Sequence, residues 1–185
     1  MLREHITDYE PYNEQEMRDR QIMLHIIDNC DDYLLRSNET AHFTASAWVV
    51  NHDRSKVLLI HHNIYNAWTW TGGHADGEED LLQTALREVR EETGLANIKP
   101  VNWDIFSIEI ITVDGHIKSG RYVSSHLHLN VTYLIEADED EALHIKEDEN
   151  SAIGWFEPEK LDMLSDEKWM KELVYAKLQN KLKGE

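Results

Sequence analysis

The sequence predicts an α/β fold: a mixed β-sheet held between helices, an α/β/α sandwich, with a helical extension at the N-terminus. Three observations predict it. Apolar residues recur at helical spacing near the start, the middle and the end of the chain. Between these stretches the period switches to two, and turn-forming residues punctuate the changes. Strands flanked on both sides in sequence by amphipathic helices are most simply layered as a sheet covered on both faces.

From Asn13 to about Leu35 the pattern is helical, with Met23, Ile26, Ile27, Cys30 and Leu34 on one face. That apolar stripe requires a cover, supplied by the rest of the chain or by a second copy in a homodimer. Ser37-Asn38-Glu39-Thr40 is a polar break. Ala45 to Val50 and Val57 to Ile60 read as two strands joined by the turn-rich Asn51 to Ser55. Trp68-Thr69-Trp70-Thr71 runs into Gly72-Gly73, and Asp80 to Thr93 is helical again. A strand follows from about Trp103 to Val113, with Asp114-Gly115 as its turn. Ser125 to Ile135 alternates most regularly, with Leu127, Leu129, Val131 and Tyr133 on one face and His126, His128, Asn130 and Thr132 on the other. After an acidic loop come a last strand, Ser151 to Phe156, and a C-terminal helix with Trp169, Leu173 and Ala176 as its stripe.

The composition narrows the function. In 185 residues, 41% are hydrophobic, enough for one compact domain with a short extension. Acidic side chains number 36 against 18 basic ones, a formal charge of −18. Such a surface repels nucleic acid and anionic membrane, so neither is an expected partner. An anionic substrate then needs a local reversal of sign, for which bound metal ions are suited. Cys30 is the only cysteine, and the first residues lack the apolar stretch of a secretory signal; the expected setting is the cytoplasm.

The helix from Asp80 to Thr93 carries the strongest chemical signal. Leu82, Ala85, Leu86, Val89 and Thr93 form its buried side. Glu88, Glu91 and Glu92 fall within an arc of about 100° on the opposite, exposed side. Carboxylates at i, i+3 and i+4 repel one another and destabilise a helix. A hard divalent cation such as Mg²⁺, with Mn²⁺ as a substitute, would relieve that repulsion while sharing its sphere with substrate phosphates. Gly72-Gly73 permits close backbone approach, so the Gly72 carbonyl could join the ligands. Arg87 can reach Glu91 at i+4 or return to Glu79, and Gly94 is placed as the helix C-cap.

Gly73, Glu79, Arg87-Glu88-Val89, Glu91-Glu92, Gly94 and Leu95 match every specified position of the Nudix box, and the chain is identified on them as resembling the Nudix hydrolase superfamily. The resemblance extends to Ala45–Val50, Val57–Leu59, Trp70–His74 and Trp155-Phe156, so residues 43–185 resemble a Nudix domain and residues 1–42 an added helical extension. Thr71 stands where many members carry proline. The stretch His126–Tyr133, with Gly72-Gly73-His74, resembles a bacterial subgroup of largely unassigned substrate, in which aspartate is expected where Asn130 stands.

The resemblance implies metal-assisted attack of water on a diphosphate linkage in a nucleoside diphosphate derivative or a nucleoside triphosphate. It implies Glu88, Glu91 and Glu92 as metal ligands, with Glu88 also a candidate general base and Glu79 a support behind the ligands. Glu149, in the loop before the last strand, is a candidate further catalytic carboxylate, weighed against an ordinary solvated charge run. His126 and His128 could contact substrate. A dedicated metal site there is disfavoured, since no third histidine lies nearby in sequence. The alternative function is a non-catalytic nucleotide-sensing Nudix domain, which the intact box argues against.

Overall fold

The computed structural model describes residues 2–64, 66–118, 120–163 and 168–184. Two short helices open the chain, α1 (Leu2–Asp8) and α2 (Glu14–Asn29). Strands β1 (Ala41–Val50), β2 (Val57–His62), β3 (Ala67–Thr69) and β4 (Thr71–His74) precede helix α3 (Leu81–Thr93). Then follow β5 (Ile98–Pro100), β6 (Ser107–Val113), the hairpin β7 (His116–Lys118) and β8 (Arg121–Val123), β9 (His126–Ala137) and β10 (Asn150–Phe156). A 3₁₀ segment (Pro158–Met163), a π-helical turn (Met170–Tyr175) and α4 (Ala176–Leu182) complete the described chain.

The sheet runs β10-β2-β1-β9-β5, with β3 added on β2, β4 on β1 and β6 on β9. Its centre is the parallel pair β1–β9, in register from Ala41↔Leu127 to Val50↔Glu136, and every other pairing in it is antiparallel. The sheet is therefore mixed, as the sequence predicts. Every residue of β1 is buried, which marks a central strand covered on both faces. Phe43, Ala45, Ala47 and Val49 meet Leu129, Val131 and Tyr133 in a core shared with Leu82, Ala85 and Val89 of α3. On the other face, Trp48 and Val50 pack with Leu134 of β9, Val174 of the π-helical turn and Leu178 of α4. The polar half of that second face carries His42, Thr44 and Ser46, in register with His128, Asn130 and Thr132.

Several boundaries differ from expectation. The first long helix starts where Asn13 caps it, its side chain accepting from Glu16 N–H at 2.9 Å, but it stops at Asn29 because Cys30 is extended. Residues 31–37 form turns, and α1 is an additional helix. Leu2, Ile6 and Met23 enter the main core and Ile26, Ile27 and Leu34 pack against it, so the expected stripe is covered by the chain's own sheet. Strand β1 begins at Ala41, two residues before the expected Nudix segment. Strand β6 begins at Ser107, and Trp103 is 74% exposed. The C-terminal stripe is a correction: Trp169 and Leu173 are exposed, while Met170, Val174, Lys177 and Leu178 are buried. The wider π turn shifts the inward-facing positions relative to an α-helical count. Among the described residues no helix is long and apolar enough to cross a membrane.

Candidate functional site

Strand β4 lies between β1 and α3, and its glycines set how closely the three approach. A Cβ at Gly72 would sit 2.6 Å from Ser46 Oγ and 2.7 Å from the Ala45 carbonyl oxygen. A Cβ at Gly73 would sit 2.4 Å from the Glu88 carboxyl carbon. Neither glycine has a positive φ, so close approach is what they provide. Helix α3 is capped by Asp80, whose side chain accepts from Gln83 N–H, and closes at Gly94 in the left-handed conformation with φ 74°.

The three expected ligands reach one cleft but occupy different environments. The Glu91 side chain is 48% exposed and that of Glu88 13%. Glu92, expected on the exposed face, is instead 2% exposed. Its carboxylate lies under β4, accepting from Gly72 N–H at 2.9 Å. On the helical wheel Glu92 falls beside Ala85 and Val89, at the edge of the buried stripe rather than opposite it, and β4 covers that edge. Burial drives the Glu92 pKa up to about 8; the Gly72 hydrogen bond opposes this, the charges of Glu88 and Glu149 reinforce it, and Lys146 offsets only part. A desolvated carboxyl beside two more carboxylates is a donor set short of positive charge. Hard oxygen ligands in that condition fit Mg²⁺ or Mn²⁺.

Arg87 acts as a clamp: its guanidinium donates to Glu88 Oε1 at 2.9 Å and lies 3.8 Å from Glu91 Oε1. It also donates to the His74 carbonyl at 3.4 Å, tying α3 to β4. Glu149 enters the cleft from the loop before β10, paired with Lys146 at 2.9 Å; the same Lys146 lies 4.0 Å from Glu91. Glu79 is exposed, does not line the cleft, and exerts its charge on Tyr33. Gly72 lies in the cleft wall beside Glu92.

The cleft has a volume of about 1180 Å³, ample for a nucleotide-sized molecule. Trp68, Trp70 and Tyr175 line it. Trp70 is largely core, edge-on to Trp48 and Tyr175, whereas Trp68 is only partly buried and packs edge-on against Phe156. Lys118 and Lys146 bring positive charge to a cleft in a strongly acidic chain. His128 and Asn130 border the cleft, whereas His126 stands behind His128.

The structure adds residues that sequence spacing does not reveal. His42 and His74 join His128, so the histidine strand does have third and fourth members in space. Burial is the main reason that His74 is lowered to about 3 and His128 to about 2, and it lowers His42 as well, so the neutral rings are favoured. Beneath the cleft, Asn130 accepts from Thr44 and Ser46 hydroxyls at 3.1 and 2.7 Å and donates to Glu109 Oε2 at 3.0 Å. Glu109 and Glu16, both fully buried, bracket Lys177 at 3.0 and 3.1 Å. Ser107 donates to Glu16 Oε1 at 2.9 Å, Tyr9 to Glu16 Oε2 at 2.6 Å, and Lys181 to Tyr9 at 2.7 Å. A single buried ionic seam thus joins the first helices, β6 and the last helix behind the cleft floor.

Known proteins resemble this chain in sequence and in fold. The family model described as NUDIX domain matches residues 40–177. A probable DHNTP pyrophosphohydrolase of Lactococcus lactis subsp. cremoris is 30% identical over 113 residues, covering 60% of this chain and 64% of that protein. The asymmetrical bis(5'-nucleosyl)-tetraphosphatase of Mus musculus is 31% identical, covering 60% of this chain and 67% of its own. Against an m7GpppN-mRNA hydrolase of Xenopus laevis the figures are 33%, 57% and 36%. The chain thus spans between about a third and two thirds of the length of these curated relatives. Among solved structures, a C. elegans Ap4A hydrolase binary complex superposes with a TM-score of 0.54 at 20% identity, over 77% of this chain and 98% of that one. A NUDIX-family hydrolase from Clostridium perfringens gives 0.55 at 22% over 77% and 96%. These likenesses show the fold. With an intact glutamate helix and a family model matched over most of its length, the chain belongs to the NUDIX family.

Proposed function

We propose that this protein is a Nudix hydrolase that cleaves a diphosphate linkage in a nucleoside diphosphate derivative or nucleoside triphosphate, with Mg²⁺ or Mn²⁺ held by Glu88, Glu91 and Glu92. The observation that carries the reading is Glu92: a carboxyl on α3 buried beneath β4, raised further by the charges of Glu88 and Glu149, with Lys146 offsetting only part of the effect. A bound divalent ion would supply charge neutralisation of the diphosphate and a water of lowered pKa. The chain's own residues do the rest. Arg87 holds Glu88 and Glu91 in register. Gly72 N–H fixes the orientation of Glu92. Glu88 and Glu149, one on the helix and one on the facing loop, are the candidates to accept the proton of the attacking water. Lys118 and Lys146 attract the anionic substrate, and the exposed edge of Trp68 offers a surface for a base.

The test is a screen of nucleotide-linked diphosphates and nucleoside triphosphates with Mg²⁺ and with Mn²⁺, reading products by chromatography, and repeated after chelation. Turnover that requires metal and disappears in Glu92→Gln supports the reading. Nucleotide binding without turnover on any compound in either metal would favour the sensor instead.

A further inference from the structure

We infer that this chain carries a second metal site of a different chemical kind, a three-histidine centre made by His42, His74 and His128 that takes a transition-metal ion of the zinc class. One ring nitrogen from each of these residues lies within 4.8 Å of one from each of the others. Around a tetrahedral zinc with Zn–N bonds of about 2.0–2.1 Å, ligand nitrogens stand about 3.3 Å apart. Small rotations of side chains already in mutual contact would close that difference.

Three independent features of the cluster point to a ligand. His42 is 3% exposed, yet its Nε2 has no hydrogen-bond partner. A buried polar nitrogen without a partner is costly and rare. Its Nδ1 lies 2.9 Å from the Asn38 carbonyl oxygen, an acceptor that requires Nδ1 to carry the proton and leaves the lone pair on the unpartnered Nε2. This is how proteins orient a metal-binding imidazole: the far nitrogen donates to a carbonyl and the near one is presented as a base. Third, His126 repeats the arrangement one layer out. Its Nδ1 meets the Ser124 carbonyl at 2.8 Å and its Nε2 lies 3.2 Å from Nε2 of His128, so it braces one of the three ligands.

The architecture explains why the rings converge. His42 and His128 are register partners on the parallel β1–β9 pair, and His74 stands opposite Thr44 on β4, on the other side of β1. Three strands of a rigid central sheet therefore fix the cluster. Arg36 lies near enough to oppose a cation, but Asp76 holds it through a bidentate pair and returns negative charge to the same spot. Imidazole nitrogens select zinc, copper or nickel over Mg²⁺, which selects oxygen. The two sites are therefore separable by metal as well as by residue. His74 and His128 line the cleft, so the fourth coordination position faces the space where an anionic substrate or water would lie. Three protein ligands with one open position is the pattern of an exchangeable site rather than a closed structural one.

Calorimetric titration of the full chain with Zn²⁺ alone, in the presence of saturating Mg²⁺, tests the proposal without reference to turnover. The expected result is one equivalent of tight Zn²⁺ that Mg²⁺ does not compete away and that survives in Glu91→Gln with Glu92→Gln. His74→Gln and His128→Gln should each weaken it by at least about 100-fold, and His126→Ala by roughly 10-fold, the scale of losing a bracing residue. Because His42 is buried and its replacement can perturb folding, the two cleft-side variants carry the decision, with circular dichroism confirming their fold. Co²⁺ in place of Zn²⁺ should give the visible absorption of a four-coordinate nitrogen-rich site, lost in the same variants. Zn²⁺ binding that persists in the His74→Gln, His128→Gln double variant, or that vanishes with the glutamates instead, overturns the site. Failure of the hydrolase reading would leave this result untouched, since Mg²⁺ serves only as a competitor and no substrate turnover enters the measurement.

Discussion

Glu16 and Glu92 are both helical glutamates removed from solvent, and they are treated in opposite ways. Burial pushes the Glu16 carboxyl up, but Lys177, the Tyr9 hydroxyl, the Tyr12 amide and Lys181 together outweigh it and hold the group below the ordinary carboxylate range. Burial drives Glu92 up to about 8, with one amide donor and Lys146 offsetting only part of that and the charges of Glu88 and Glu149 adding to it. The first carboxylate has its counter-charges built into the chain; the second has a vacancy of charge that the chain itself does not fill. A buried ion is tolerated when paired and hydrogen-bonded, and is otherwise neutralised by a proton or by a ligand. The contrast separates a carboxylate whose charge the fold compensates from one whose charge it does not.

The same substitution at the two positions should therefore give opposite results. Glu92→Gln is expected to reduce metal-dependent turnover by at least about 10³-fold, because metal affinity depends on carboxylate oxygens and an amide offers only one weaker oxygen. In the metal-free protein at pH 8, however, Glu92→Gln should melt at a higher temperature than the parent, since it removes a buried charge. A parent and variant with equal turnover would break the comparison at its functional end.

Lys177→Met attacks the structural end. It leaves Glu16 and Glu109 buried without their shared cation and should cost about 3–5 kcal/mol in urea unfolding. Much of that loss should return when Glu16→Gln and Glu109→Gln are added. Glu16→Gln alone should cost roughly 1.5–3 kcal/mol, the scale of a hydrogen bond to a charged group, with no change in metal affinity.

The pH dependence sharpens the same contrast. Glu92 has a folded pKa above its unfolded value, so the fold favours its protonated form. The stability this lends the metal-free protein is fully present below about pH 4.5 and is lost as pH rises toward 8. Glu16 is depressed, so its contribution is present above the ordinary carboxylate range and lost as pH falls through its folded value in acid. Melting temperatures across pH 4 to 9, with and without Mg²⁺, should show the alkaline loss only without metal. The smallest effect expected is at the helix end that carries the site: Gly94→Ala, forced to φ 74° and 2.9 Å from the His144 Cβ, should lose about 1 kcal/mol or somewhat more.

How much of this was legible in the sequence depended on whether partners are close along the chain. The glutamate helix, its buried stripe, its C-cap and the alternation of β9 are all local patterns, and each appears where spacing predicts it. Spacing places Glu92 at the edge of the buried stripe, beside Ala85 and Val89, but its full burial depends on β4 lying across α3, which no local pattern reveals. Nor was the histidine cluster legible, since its members come from β1, β4 and β9 and meet only through strand register. Lys177 reads in sequence as one more solvated cation on a C-terminal helix; nothing local distinguishes it from Lys171 or Lys183, and its carboxylates lie on α2 and β6. The π turn before α4 likewise has no signature in the apolar spacing, which is why an α-helical count puts the exposed Trp169 and Leu173 on the buried side.

The parallel pairing of β1 with β9 also constrains the route by which the chain folds. Residues 41 and 127 become neighbours only after a loop of 86 positions closes, and the entropy of that closure is spent before the pairing returns anything. During synthesis, β1 can find β2 and β4 early, since these follow it directly. Its other edge, flanked by Phe43, Trp48 and Val49, waits until residue 137 has emerged. An unpaired hydrophobic strand edge is a template for other chains. The slow step in refolding is therefore expected to be docking of β9, and the yield of refolded protein should fall as its concentration rises, well before the final helix delivers Lys177 to the acidic seam.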